Sequence, residues 1–144
     1  MIKQILIPEL DVSDLERSVE FYTKVLGCTV LYERPDERFV MLDFAGAQLM
    51  LEEANGPGRR FRTAPLEKPY GRGVNFQILV ADLETLYKNV LAVNAEIIVP
   101  MEERWYRRCE IELGNRQFVV ADPDGYLLRL FNDLGERDVE GCKR

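Results

Sequence analysis

A short run occurs twice in this chain, and its recurrence dictates a duplicated architecture. Val12-Ser13-Asp14-Leu15-Glu16 returns as Val80-Ala81-Asp82-Leu83-Glu84, with Leu10 matched by Ile78. A second echo follows each copy: Asp43-Phe44-Ala45-Gly46-Ala47-Gln48-Leu49 against Asp122-Pro123-Asp124-Gly125-Tyr126-Leu127-Leu128. Each fragment alone carries little. Their shared order in both halves points to one module used twice.

Local patterning agrees with that reading. Ile5 to Val12 reads as a strand, with Pro8 favouring an edge or a bulge. Ser13 and Glu16 form a capping box for a helix. Leu15, Val19, Tyr22, Val25 and Leu26 then recur at helical spacing, and Gly27 is placed to end the helix. Leu83, Leu86, Tyr87, Val90 and Leu91 repeat this stripe after Asp82, with Asn94 as terminator. Strand-like stretches follow each helix: Thr29 to Arg34, Phe39 to Phe44 and Gln48 to Glu53, then Glu96 to Pro100, Arg108 to Leu113, Arg116 to Ala121 and Tyr126 to Phe131. Asp43 to Gly46 and Asp122 to Gly125 carry turn chemistry. The expected division is a first βαβββ module over 1–54, a loop over 55–73, a second βαβββ module over 74–133, and a polar, fraying tail over 134–144. The loop carries Arg59, Arg60, Arg62, Lys68 and Arg72, which reads either as a solvated surface or as a lid facing anions.

Composition removes several function classes. The chain has 144 residues, and 47% are hydrophobic, enough for a packed core. A net charge of −6 argues against nucleic acid and against an anionic membrane surface as partners. No apolar run approaches the roughly 20 residues of a membrane helix, and Met1 to Leu10, interrupted by Pro8 and Glu9, does not read as a signal peptide. Cys28, Cys109 and Cys142 are odd in number and widely spaced, so no disulfide framework or zinc knuckle is indicated, and a reducing cytoplasmic setting fits. There is no histidine at all. That removes the commonest general base and the commonest zinc ligand, leaving carboxylates, Lys, Tyr or Cys for any chemistry.

A duplicated βαβββ unit opening on Val-x-Asp-Leu-Glu resembles the vicinal-oxygen-chelate superfamily, in its glyoxalase and bleomycin-resistance branch. Glu20-Phe21-Tyr22 leading to Leu26-Gly27, the segment Gly114-Asn115-Arg116-Gln117-Phe118, and the Asp122-Pro123-Asp124-Gly125 turn carry the same likeness, over roughly residues 3 to 133. The resemblance implies an α+β fold whose curved mixed sheets form cups with helices outside. It also implies that metal-dependent members hold their ion on the first and last strands of each module. Those positions fall here on Ile7, Met50, Asn75 and Arg129. Isoleucine and a guanidinium cannot ligate a divalent ion, so no metal at these positions and no other cofactor is expected, with a Glu9–Glu52 carboxylate pair as the alternative for an unusual metal site.

Strand alternation from these positions brings Glu9, Glu52 and Gln77 to the cups. Leu127, Phe131, Val119 and Gln117 follow by the same count, while Leu6, Leu10 and Val12 face the helices. Trp105 and Tyr106 supply an aromatic wall. The candidate ligand-binding set is therefore Glu9, Met50, Glu52, Asn75, Gln77, Trp105, Tyr106 and Arg129. Arg129 either receives a ligand anion or pairs with Glu9 or Glu52. The resemblance implies a homodimer that sequesters a small organic molecule, as drug-resistance members do. The alternative is a lyase or isomerase using Glu9, Glu52 or Tyr106 for proton transfer, and a third reading is an interaction protein whose cup is filled by its own side chains.

Overall fold

The computed structural model describes residues 3–139. Two four-stranded mixed sheets account for most of it. The first contains β1 (Glu9–Val12), β2 (Thr29–Arg34), β3 (Phe39–Phe44) and β4 (Ala47–Glu53), in the order β1-β4-β3-β2. The second contains β5 (Asn75–Leu79), β6 (Ile97–Arg108), β7 (Ile111–Ala121) and β8 (Leu127–Asp138), in the order β5-β8-β7-β6. In each, the first strand pairs parallel with the last and the remaining pairs are antiparallel. The duplication read from the sequence is thus a duplicated βαβββ topology.

Helix α1 (Leu15–Glu20) continues into a π-helical turn over Phe21–Val25 and ends where Gly27 adopts φ 75°. Helix α2 (Leu83–Ala92) ends near Asn94, which takes φ 53°. Asp14, and not Ser13, caps α1, its side chain accepting from Arg17 N. Ser13 is drawn away by Asp124, which accepts from both its backbone N–H and its hydroxyl. Asp82 caps α2 in the same manner as Asp14, through Thr85 N.

The apolar stripes do what their spacing indicates. Leu15, Tyr22 and Val25 from the first module and Leu83 and Val90 from the second lie in one core. Leu10, Val12, Val40, Leu42, Leu51, Phe118, Val120, Leu128 and Leu130 line it from both sheets. Burying such side chains contributes about 1.5–3 kcal/mol each. The two modules therefore share one interior, and the opposite face of each sheet is left for other uses.

Several boundaries differ from the local patterns. The first strand begins at Glu9, not Ile5, and Leu6 is 81% exposed instead of facing a helix. Only from Pro8 O, which accepts from Met50 N, does the chain reach the register of β4. Of the two separate stretches expected at Arg108 to Leu113 and Arg116 to Ala121, Arg108 ends β6, Cys109-Glu110 form the turn, and the rest is one strand, β7, because Gly114-Asn115 forms a bulge against β8 and not a turn. Gly135 to Asp138 belong to β8 instead of a frayed tail, paired with the start of β7. Cys142 lies outside the described residues.

Candidate functional site

The inward face of each sheet follows from its register. In the first module, Glu9 lies beside Met50 and Asp11 beside Glu52 on β1 and β4, while Met41 and Phe39 lie across from Met50 and Glu52 on β3. Their neighbours Leu10, Val12, Val40, Leu42, Leu49 and Leu51 point into the shared core. This first cup therefore has an apolar floor of Phe39, Met41 and Met50 and an acidic side of Glu9, Asp11 and Glu52.

Arginines from the loop after β4 seat themselves on that acidic side. Arg60 Nη1 donates to Glu52 Oε1 at 2.8 Å, and its Nη2 donates to the carbonyl of Glu53. Arg62 donates to Asp11 Oδ2 at 2.8 Å and to the carbonyl of Ala54 at 2.7 Å. The fit is close enough that a Cβ at Gly58 would lie 1.8 Å from Glu52 Oε1, so only glycine lets the backbone pass there. The Glu52 side chain is 7% exposed and that of Arg60 13%. Arg60 and Arg62 are thus a lid on the chain's own carboxylates, while Arg59, Lys68 and Arg72 are exposed. Glu9 makes no ion pair among the described residues, and the charge of Arg60 only partly offsets its surroundings. Desolvation and the neighbouring Glu52 carboxylate raise its pKa above the usual carboxylate range. Glu52 pairs with Arg60, and among the described residues Arg129 makes no ion pair with Glu9 or Glu52.

The second cup is built differently. Gln77 lies beside Arg129, Asn75 beside Leu127, Val119 across from Arg129, Gln117 across from Phe131, and Glu102 across from Gln117. Gln117 Nε2 donates to Tyr106 Oη at 2.6 Å and to Glu102 Oε1 at 3.1 Å. Arg129 Nη1 reaches the same Tyr106 oxygen only at 3.5 Å. Arg129 has no ion pair among the described residues, and its Nε is buried without a partner, as is Gln117 Oε1. A cavity of about 250 Å³ opens here, lined by Gln77, Tyr106, Leu113, Asn115 and Arg129. A larger cleft of about 570 Å³ lies between the π-helical turn and the end of α2, away from both cups.

Of the residues singled out in the sequence, the fold brings Gln77, Tyr106 and Arg129 to one cavity and places Asn75 on the same strand face. Glu9, Met50 and Glu52 belong to the other cup. Trp105 goes elsewhere. It pairs with Gly114, where a Cβ would meet its ring at 2.5 Å, and the Arg137 guanidinium lies 4.1 Å from its ring centroid. Successive strand residues face opposite sides, so Tyr106 in the cup forces Trp105 out of it. Asn115 and Glu102 are the residues sequence reasoning missed: locating them needed the span of β6 and the bulge at Gly114-Asn115.

The donor set at Ile7, Met50, Asn75 and Arg129 does not suit a divalent ion: one member is aliphatic and one is a fixed cation. Among the described residues, no group of three His, Cys, Asp or Glu side chains is arranged to hold one. Among the described residues, no helix is long and apolar enough to cross a membrane.

Comparison with known proteins agrees with this architecture. The bleomycin resistance protein of Geobacillus stearothermophilus is 26% identical over 137 residues, covering 89% of this chain and 96% of the relative, and that of Staphylococcus aureus matches equally. Among solved structures, TioX from Micromonospora sp. ML1 superposes with a TM-score of 0.71 at 21% identity, covering 92% of this chain and 100% of the other. A protein of unknown function from Agrobacterium tumefaciens gives 0.66 at 26% identity, covering 93% and 97%. The description of the Glyoxalase/Bleomycin resistance protein/Dioxygenase superfamily matches residues 4–130, and the chain belongs to that superfamily.

Proposed function

We propose that this protein is a cytoplasmic, metal-independent binding protein that holds a small organic molecule with an anionic group in its second cup. The observation that carries the reading is Arg129. It is a strand-mounted, half-buried guanidinium with one long hydrogen bond and no ion pair among the described residues, and it lines a cavity. Leaving such a group partly desolvated and unpaired is costly, and a carboxylate or phosphate offers the planar acceptor pair that a guanidinium matches. Tyr106, Gln77 and Asn115 supply further polar contacts, and Leu113 an apolar wall, the mixture expected of a small-molecule site.

The bleomycin-resistance relatives make drug sequestration one role for such a cup. The cavity of about 250 Å³ is below the ~300–1,000 Å³ of drug-sized sites, so a single chain encloses a metabolite-sized molecule or one part of a larger drug. We propose further that the protein is a homodimer whose partner subunit covers an open cup. Leu79, on the face of the second cup, is 56% exposed, and all six residues of edge strand β2 are exposed. Titration calorimetry of a panel of metabolite carboxylates and phosphates, on the parent and on Arg129→Gln, tests the reading. Anionic ligands should bind the parent and lose about tenfold or more, roughly 1.4 kcal/mol, in the variant. Equal affinities in the two proteins would sink it.

A further inference from the structure

We infer that the second cup reads a small zwitterion: a carboxylate and a charged amine separated by one or a few bonds, the arrangement of an α-amino acid. The inference rests on the proposal that this cup is a small-molecule site. It goes beyond it by naming the ligand's second charge.

The polarity of one hydrogen-bond chain carries the argument. Gln117 Nε2 spends both its protons, one on Glu102 Oε1 and one on Tyr106 Oη. The Glu102 carboxylate fixes that orientation, since the flipped amide would set Oε1 against it. Tyr106 Oη therefore accepts from Gln117 and, weakly, from Arg129, which leaves its own O–H free to donate. The unused valences then sort into two poles. At one end are the Arg129 N–H groups and the Tyr106 hydroxyl, all donors. At the other are Gln117 Oε1, buried and without a partner, and Glu102 Oε2, both acceptors.

Neither charge is cancelled nearby: among the described residues Glu102 makes no ion pair, and neither does Arg129. The remaining charged groups on this face do not close the circuit. Arg104, across from Asn115, is exposed, and Asp133, across from the same residue, accepts from Gly135 N at 2.7 Å. A cation and an anion held apart by a neutral Tyr–Gln bridge present donors beside acceptors. A ligand that bears only an anion satisfies one pole and leaves Glu102 facing it. A zwitterion satisfies both. Half-buried Glu102, joined to the cavity's Tyr106 through Gln117, is the carboxylate that receives the ammonium. The cavity of about 250 Å³, with Leu113 on its wall, leaves room for a modest apolar side chain.

Calorimetry on the full-length protein tests this with L-leucine, L-phenylalanine and L-glutamate. Each is compared with its N-acetyl derivative, which lacks the cation, and its amide, which lacks the α-carboxylate. At least one amino acid should bind tenfold or more tightly than both its derivatives. Glu102→Gln should erase the preference over the N-acetyl form, and Arg129→Gln the preference over the amide. Comparing ligands on the unmodified protein keeps the test independent of how well either variant folds. If N-acetyl acids bind as tightly as the parent amino acids, the zwitterion inference is overturned while the anion site stands. If no amino acid binds while other carboxylates or phosphates do, the zwitterion inference is overturned and the anion site stands; if no anion of either panel binds, both readings fall.

Discussion

Tyr22 and Asp122, one hundred residues apart, are joined by a buried hydrogen bond in which Tyr22 Oη donates to Asp122 Oδ2 at 2.8 Å. It ties the helical turn of the first module to the turn before the last strand of the second. Asp122 also accepts from the backbone N–H of Asp124 and of Tyr126 at 2.9 Å. Burial nonetheless dominates and raises its pKa above the ordinary 3.8, against the pull of those three donors. A carboxyl with a raised folded-state pKa binds its proton more tightly folded than unfolded. Its contribution therefore favours folding as pH falls through that raised value toward 3.8, and opposes it when ionised at neutral pH. Tyr22→Phe removes one donor to the ionised form. It should cost about 2 kcal/mol at pH 7, and the penalty should shrink as pH is lowered toward 4. Denaturant unfolding of parent and variant across pH measures the difference, and a penalty that does not change with pH would refute the assignment.

The Arg60–Glu52 pair predicts a contrast between single and double variants. Arg60→Ala strips the partner from a carboxylate that is nearly buried and should destabilise the fold by about 3 kcal/mol, the lower end for breaking a buried pair. Arg60→Met with Glu52→Leu removes both charges and should recover most of that loss. A double variant as unstable as the single one would mean that the loop is held by its backbone contacts instead.

Trp105 provides a check on the strand register. Its ring covers Gly114 beneath Arg137, so Trp105→Ala should lower the melting temperature while leaving affinity for second-cup ligands within about twofold. Loss of affinity comparable to that in Arg129→Gln would return Trp105 to the site.

The proposed dimer is tested by light scattering at micromolar concentration, which should give twice the mass of the chain. Lys or Glu in place of Leu31, which is 38% exposed on edge strand β2, tests that strand as a contact surface. Monomer mass for the parent would contradict the proposal.

The fold was more legible in the sequence than the site. The repeated Val-x-Asp-Leu-Glu run reports its own surroundings, because the acid at its centre caps a helix in both copies and the flanking apolar residues enter one core. Alternation also put Gln77 on the same strand face as Asn75, since one strand needs only a period of two. What local reasoning could not reach were the long-range pairings. Ser13 looked like a cap until Asp124 claimed it. Arg60 and Arg62 gave no sign in sequence of folding back on Glu52 and Asp11. The Gly114-Asn115 bulge hid the length of β7, and with it the face on which Trp105 stands.

The measurement that bears most directly on the second cup is NMR of ¹⁵N-labelled protein titrated with its tightest-binding carboxylate. The side-chain amides of Gln77, Asn115 and Gln117 and the Arg129 Nε–H should shift together at the affinity found by calorimetry, while Met50 and Arg60 in the first cup stay in place. Shifts confined to the first cup, or saturable binding that leaves Arg129 and Gln117 unmoved, would contradict the account.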